Sequence, residues 1–84
     1  MLQNFPNPFS GETKIRFKTR HSNSSVVIQV YDMTGTEIAT LKDGKPDPGL
    51  NEIRWDATGC KPGIYFIRLK TDERIETIKA VLFQ

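Results

Sequence analysis

The side chains of this chain that could do chemistry are few and scattered: Asp32 and Asp56, each directly behind an aromatic residue, a lone His21, a lone Cys60, and cations at Lys14, Arg16, Lys18 and Arg20. Two carboxylates could share general acid and general base work, but only if both reached one cleft. Neither has a His, a Ser or a third acid spaced to assist it. Each instead closes an apolar run just before a turn, where a carboxylate accepts backbone N–H bonds. Turn capping is the expected role for both, and no enzyme activity is expected of the chain. A calcium site would need a denser array, and the sequence has no Asp-x-Asp-x-Asp cluster. No metal and no other cofactor is expected.

Cys60 is the single cysteine, which excludes an internal disulfide and a metal site built on several thiolates. It reads as a small residue in a turn. His21 lies in the polar run His21-Ser22-Asn23-Ser24-Ser25 and reads as a solvated loop residue; Asn23-Ser24-Ser25 also satisfies the short N-glycosylation pattern. The four cations share one parity, so a strand carrying them would display a basic stripe. A solvated sheet face is the preferred reading, with contact to anionic glycan or lipopolysaccharide, weakened by salt, as its alternative. Trp55, Tyr65, Tyr31 and Phe66 could form a sugar-stacking platform. Trp55 and Tyr65, however, fall on the parity of neighbouring aliphatics, which places them in a core.

The elements that position these residues are strands. Period-two alternation dominates and no helical spacing persists for three turns. Thr13 to Lys18 alternates Ile15 and Phe17 with Lys14, Arg16 and Lys18, and Val26 to Tyr31 follows with Val26, Ile28 and Val30 on one side. Asp32-Met33-Thr34-Gly35 supplies an acceptor at the first turn position and a glycine at the last. Between Thr36 and Leu41 the apolar Ile38 and Leu41 stand three apart, which predicts a bulge or an early strand end. Asp43-Gly44 and Pro48-Gly49 bracket a loop. Leu50 to Trp55 resumes the alternation, Ile64 to Leu69 is apolar on both sides and predicts a central, doubly covered strand, and Arg74 to Phe83 is the last strand.

Strands at spacings near ten residues, joined by Gly, Pro and Asp turns, predict an all-β immunoglobulin-like antiparallel sandwich of about seven strands, with a small open barrel as the alternative. At 84 residues the chain is one domain, 1–84, with a thin core. A domain of that size buries about 60 to 65% of the surface its unfolded chain exposes. A net charge of +2 with 26% charged residues, without a dense basic cluster interleaved with aromatics, predicts no nucleic-acid partner. No apolar run approaches the roughly 18 residues of a transmembrane segment. Met1 precedes a segment that reads like the interior of a longer chain, so any signal peptide is expected upstream in the parent.

The Asn7-Pro8-Phe9 segment has a local reading: Pro8 pins φ and removes a donor, Pro6 restricts Phe5, and Phe9 plugs the sandwich edge where the chain enters.

The order of motifs resembles the type A C-terminal sorting domain of proteins exported by the type IX (Por) secretion system of Bacteroidetes, and is similar to the Ig-like domain of flagellar hook-capping proteins. The opening pattern stands as Asn4 to Phe9 with Thr13, Ile15 and Phe17. The middle one is Val30, Tyr31, Asp32, Gly35, Ile38 and Leu41. The later one is Gly49, Ile53, Trp55, Asp56, Gly63, Tyr65 and Leu69. Lys79, Val81 and Leu82 fit the closing strand, whereas Phe83-Gln84 replaces the usual basic end.

The resemblance implies a non-catalytic export signal that directs a passenger, in some cases a secreted enzyme such as a hydrolase, through the periplasm to the cell surface or medium. It implies shuttle and translocon proteins as partners, recognition through the last strand at Lys79, Val81 and Leu82, and, after export, sortase-like processing with attachment to lipopolysaccharide at the cell surface. The rival readings are a purely structural module, as in hook-capping proteins, and a carbohydrate-binding module.

Overall fold

The computed structural model describes residues 2–19, 25–46 and 49–83. Seven strands account for the regular structure of these residues, which include no helix: β1 (Leu2–Phe5), β2 (Glu12–Thr19), β3 (Val26–Tyr31), β4 (Glu37–Gly44), β5 (Gly49–Asp56), β6 (Gly63–Lys70) and β7 (Ile75–Leu82). They form a three-stranded sheet ordered β1-β2-β5 and a four-stranded sheet ordered β4-β3-β6-β7, with every pairing antiparallel. The two sheets pack face to face as the predicted sandwich. β4 lies beside β3, whereas a constant-type immunoglobulin domain places its fourth strand beside the fifth.

Alternation decides which side chains meet. Ile15 and Phe17 of β2, Val26, Ile28 and Val30 of β3, and Ile67 and Leu69 of β6 are buried, while Lys14, Arg16 and Lys18 point outward. Trp55, Tyr65, Ala80 and Leu82 complete the same core, with Ile53, Leu41 and Cys60 packed against it. The break in spacing between Ile38 and Leu41 is a pair of register shifts in the β3–β4 ladder, one between Ile28 and Gln29 and one between Val30 and Tyr31.

β1, β4 and β6 depart most from the sequence reading. β1 forms from Leu2–Phe5, whose four residues are too few to show a period; pairing with β2 from Leu2↔Phe17 to Phe5↔Lys14 creates it. β4 runs on through Gly44, because Lys42, Asp43 and Gly44 complete the ladder to Ile28, Val27 and Val26 despite the turn-forming Asp-Gly pair. β6 is central, between β3 and β7, but only one of its faces is covered by another sheet. Its outer Ile64 and Phe66 are half-buried, Phe66 lying between its cross-strand neighbours Tyr31 and Lys79.

Candidate functional site

The motif residues that are far apart in sequence gather at one end of the sandwich. The ring of Phe9 lies 5.3 Å from that of Trp55, tilted by 57°, and Trp55 meets Tyr65 edge-on at 5.4 Å and 71°. These separations and tilts match the arrangement favoured by ring quadrupoles. Phe9 is only 1% exposed, so it plugs the sandwich end as its position predicted. Trp55 and Tyr65 are core fillers, and neither offers a free face to a sugar. Tyr65 donates its hydroxyl hydrogen to the Lys61 carbonyl, and burial, with smaller contributions from Cys60 and Asp32, pushes its phenol above the ordinary value of 10.0.

The two aspartates each build their own corner. The Asp32 carboxylate accepts from the Thr34 hydroxyl at 2.6 Å, the Thr34 N–H at 2.9 Å and the Thr36 N–H at 3.0 Å, while the Gly35 N–H closes the turn on the Asp32 carbonyl at 3.0 Å. Gly35 sits at φ 85°, a conformation that a side chain would strain. Asp56 accepts from the Thr58 hydroxyl at 2.6 Å and N–H at 3.0 Å. The Thr34 hydroxyl chiefly holds Asp32, and the Thr58 hydroxyl Asp56, below the ordinary 3.8. Turn capping is therefore what both carboxylates do, as their positions predicted.

A shallow open groove of about 310 Å³ on the outer face of the four-stranded sheet is lined by Tyr31, Asp32, Met33, Phe66, Arg68 and Thr77, and Asp56 is not among its walls. Arg68 dominates its polar side: among the described residues its buried Nε has no hydrogen-bond partner, while its Nη2 is engaged. Arg68 Nη2 donates to the Tyr31 hydroxyl oxygen and to Gln29 Oε1 (3.0 Å), and its guanidinium lies 4.8 Å from the centre of the Tyr31 ring. Among the described residues no group of three or more His, Cys, Asp or Glu is placed to hold a metal ion.

The outer face of the three-stranded sheet carries Lys14, Arg16 and Lys18, but its basic stripe is interrupted. Arg16 pairs with Glu52 at 3.4 Å and Arg54 with Glu12 at 3.1 Å. Arg20, His21 and the first two residues of Asn23-Ser24-Ser25 lie outside the described residues.

The contact that sequence reasoning missed joins the entry segment to the last strand. Asn7 Nδ2 donates to the Lys79 carbonyl at 3.0 Å, and the Val81 N–H donates to Asn7 Oδ1 at 2.9 Å, so one side-chain amide imitates a peptide unit of a neighbouring strand. Two residues on, the Phe9 N–H donates to the Val81 carbonyl and the Phe83 N–H to the Phe9 carbonyl, both at 2.9 Å, a bridge of parallel sense. Below it, the buried Thr13 hydroxyl donates to the Pro6 carbonyl at 2.8 Å and fixes the bend between β1 and the clasp. Pro6 and Pro8 signal an irregular entry, but no local signal says that the Asn7 amide meets a strand 72 to 74 positions away.

Of the residues expected to meet a partner, Lys79 alone is openly exposed. Val81 is half-buried, with its outward backbone groups taken by Asn7 and Phe9. Leu82 faces inward and is part of the core, so its side chain supports β7 from within.

These features define a small β-sandwich whose recurring motifs build its end, its corners and a clasp over its last strand. The model of a family described as the secretion system C-terminal sorting domain matches residues 3–83, and the chain belongs to that family, the type IX (Por) secretion sorting domains. The sorting signal implies engagement with the type IX machinery and export toward the cell surface or medium. No curated protein matches the chain. No helix among the described residues is long and apolar enough to cross a membrane.

Proposed function

We propose that this domain is a non-catalytic export signal, read on its folded surface by the shuttle and translocon proteins of the type IX system. The observation that carries the reading is the family match over residues 3–83. Recognition is assigned to β7, an outer strand of its sheet, with Lys79 as its exposed charged contact. The passenger then reaches the surface or medium through the periplasm, with sortase-like removal of the domain and attachment to lipopolysaccharide as its later fate. Whatever reaction the parent performs resides in the passenger.

The test is a fluorescent passenger fused ahead of the domain in a type IX-competent bacterium. Removing Lys79 to Gln84 would also take Ala80 and Leu82 out of the core, so the informative variant is Lys79→Glu, which leaves packing alone. Periplasmic accumulation of the Lys79→Glu fusion, against export of the parent fusion, is expected. Equal export of the passenger with and without the domain would refute the reading.

A further inference from the structure

Asn7 and Phe9 close only one half of the β7 edge. The groups they engage are the Lys79 C=O, both backbone groups of Val81 and the Phe83 N–H, so odd-numbered residues aim their N–H and C=O away from β6. The β6–β7 register runs without a shift from Gly63↔Leu82 to Lys70↔Ile75, which carries that direction to Thr77 and Ile75. The hairpin agrees: the Thr71 N–H bonds to the Arg74 C=O, making the adjacent Lys70↔Ile75 pair a non-hydrogen-bonded one. Both backbone groups of Ile75 and Thr77, and the Lys79 N–H, therefore face off the sheet without a partner among the described residues.

The other strands that end a sheet are poorer templates. β4 is bulged, β1 has four residues, and β5 presents Glu52 and Arg54 in ion pairs. At the open half of β7, Ile75 is 60% exposed and Thr77 is exposed. The outer face there carries Lys70 opposite Ile75, Arg68 opposite Thr77, and Lys79; the one carboxylate of the adjoining groove, Asp32, is taken up by Thr34 and Thr36. Asp72 and Glu73 lie in the turn, and Glu76 is engaged by Arg74 at 2.9 Å and the Leu2 N–H at 3.0 Å.

We propose that the Ile75–Lys79 half of β7 is a docking edge for an extended segment of a partner polypeptide, alternating acidic with apolar residues, which joins the four-stranded sheet as a fifth strand. This rests on the proposed handling of β7 by the export machinery and specifies where and by what chemistry it occurs. The same edge already accepts an extended segment at Phe9, and the Asn7 clasp sets the register at which an incoming strand must stop. Pairing with a second copy of the same edge would oppose lysine to lysine, which disfavours it.

The test is an amide NMR titration of the whole domain with a capped ten-residue peptide alternating glutamate and valine. Shifts confined to the Ile75, Thr77 and Lys79 amides and their β6 neighbours are expected. Thr77→Pro removes an outward N–H without touching the β6 ladder, because this position does not bond to β6. It is expected to weaken the peptide by about tenfold or more while the sandwich spectrum persists. The Lys70→Glu/Lys79→Glu double variant, which decides the matter if the proline variant unfolds, should instead prefer a lysine–valine peptide.

Shifts centred on β1, β4 or β5, no shifts at all, or a folded Thr77→Pro that binds as the parent does would overturn strand addition. A variant that loses the peptide yet exports its passenger normally would overturn β7 as the export contact and leave the docking edge standing.

Discussion

Replacing Asn7 by Ala removes both bonds by which the entry segment imitates a strand against β7, at 3.0 Å to the Lys79 carbonyl and 2.9 Å from the Val81 N–H. A typical intramolecular hydrogen bond contributes about 0.5–1.5 kcal/mol net. These lie at the surface, where water replaces the lost partner, so the pair is worth about 1–2 kcal/mol. For a domain of this size each kcal/mol moves Tm by about 4–8 °C, which predicts a fall of about 4–16 °C. Hydrogen exchange localises the effect. The Val81 amide should lose protection until it exchanges like the open-edge Thr77 amide, while the buried ladder at Ile67 keeps its own. Asn7→Asp separates the two bonds: its carboxylate still accepts from Val81 but cannot donate to Lys79, so Val81 protection should survive while Tm falls. Unchanged Val81 protection in Asn7→Ala would refute the clasp.

Thr13→Val keeps the shape of a buried side chain but strands the Pro6 carbonyl, and urea unfolding should show a loss of about 1–3 kcal/mol. Phe9→Ala should cost about 3–5 kcal/mol, a large part of the roughly 4–13 kcal/mol expected of 84 residues, and calorimetry should find it largely unfolded at elevated temperature while Phe9→Leu remains folded. Because the folded carboxyls of Asp32 and Asp56 titrate below 3.8, their stabilisation is present above that pH and is lost as pH falls through the depressed values. Urea midpoints measured against pH should therefore drop below about pH 4, with a shallower drop in Asp32→Ala/Asp56→Ala. The raised Tyr65 phenol works in the opposite direction: its stabilisation holds below pH 10.0 and is lost as pH rises through the folded value, a loss that Tyr65→Phe should abolish.

Strand identity was legible because it is local. Alternate side chains leave opposite faces of an extended chain, so Ile15 with Phe17, Val26 with Ile28 and Val30, and Trp55 with Ile53 declare a buried side whatever their neighbours are. The corners were legible for the same reason, since Asp32 and Asp56 bond to groups within four residues of themselves. At Ile64 and Phe66 local apolarity misled, because cross-strand neighbours shelter a side chain as a second layer does, and a sequence pattern does not distinguish them.

What the amino-acid order determined by itself is the set of strands, their inward faces, their turns and the family to which the ordered motifs belong. Only the tertiary structure decided which edges stay open, for an edge is defined by what is absent beside a strand, and that depends on contacts between distant parts of the chain. Asn7 reaches β7 because β1 pairs with β2 and both sheets close over Phe9 and Trp55. The same closure leaves Ile75 and Thr77 uncovered, because an amide side chain and a single bridging residue span only half of an eight-residue strand.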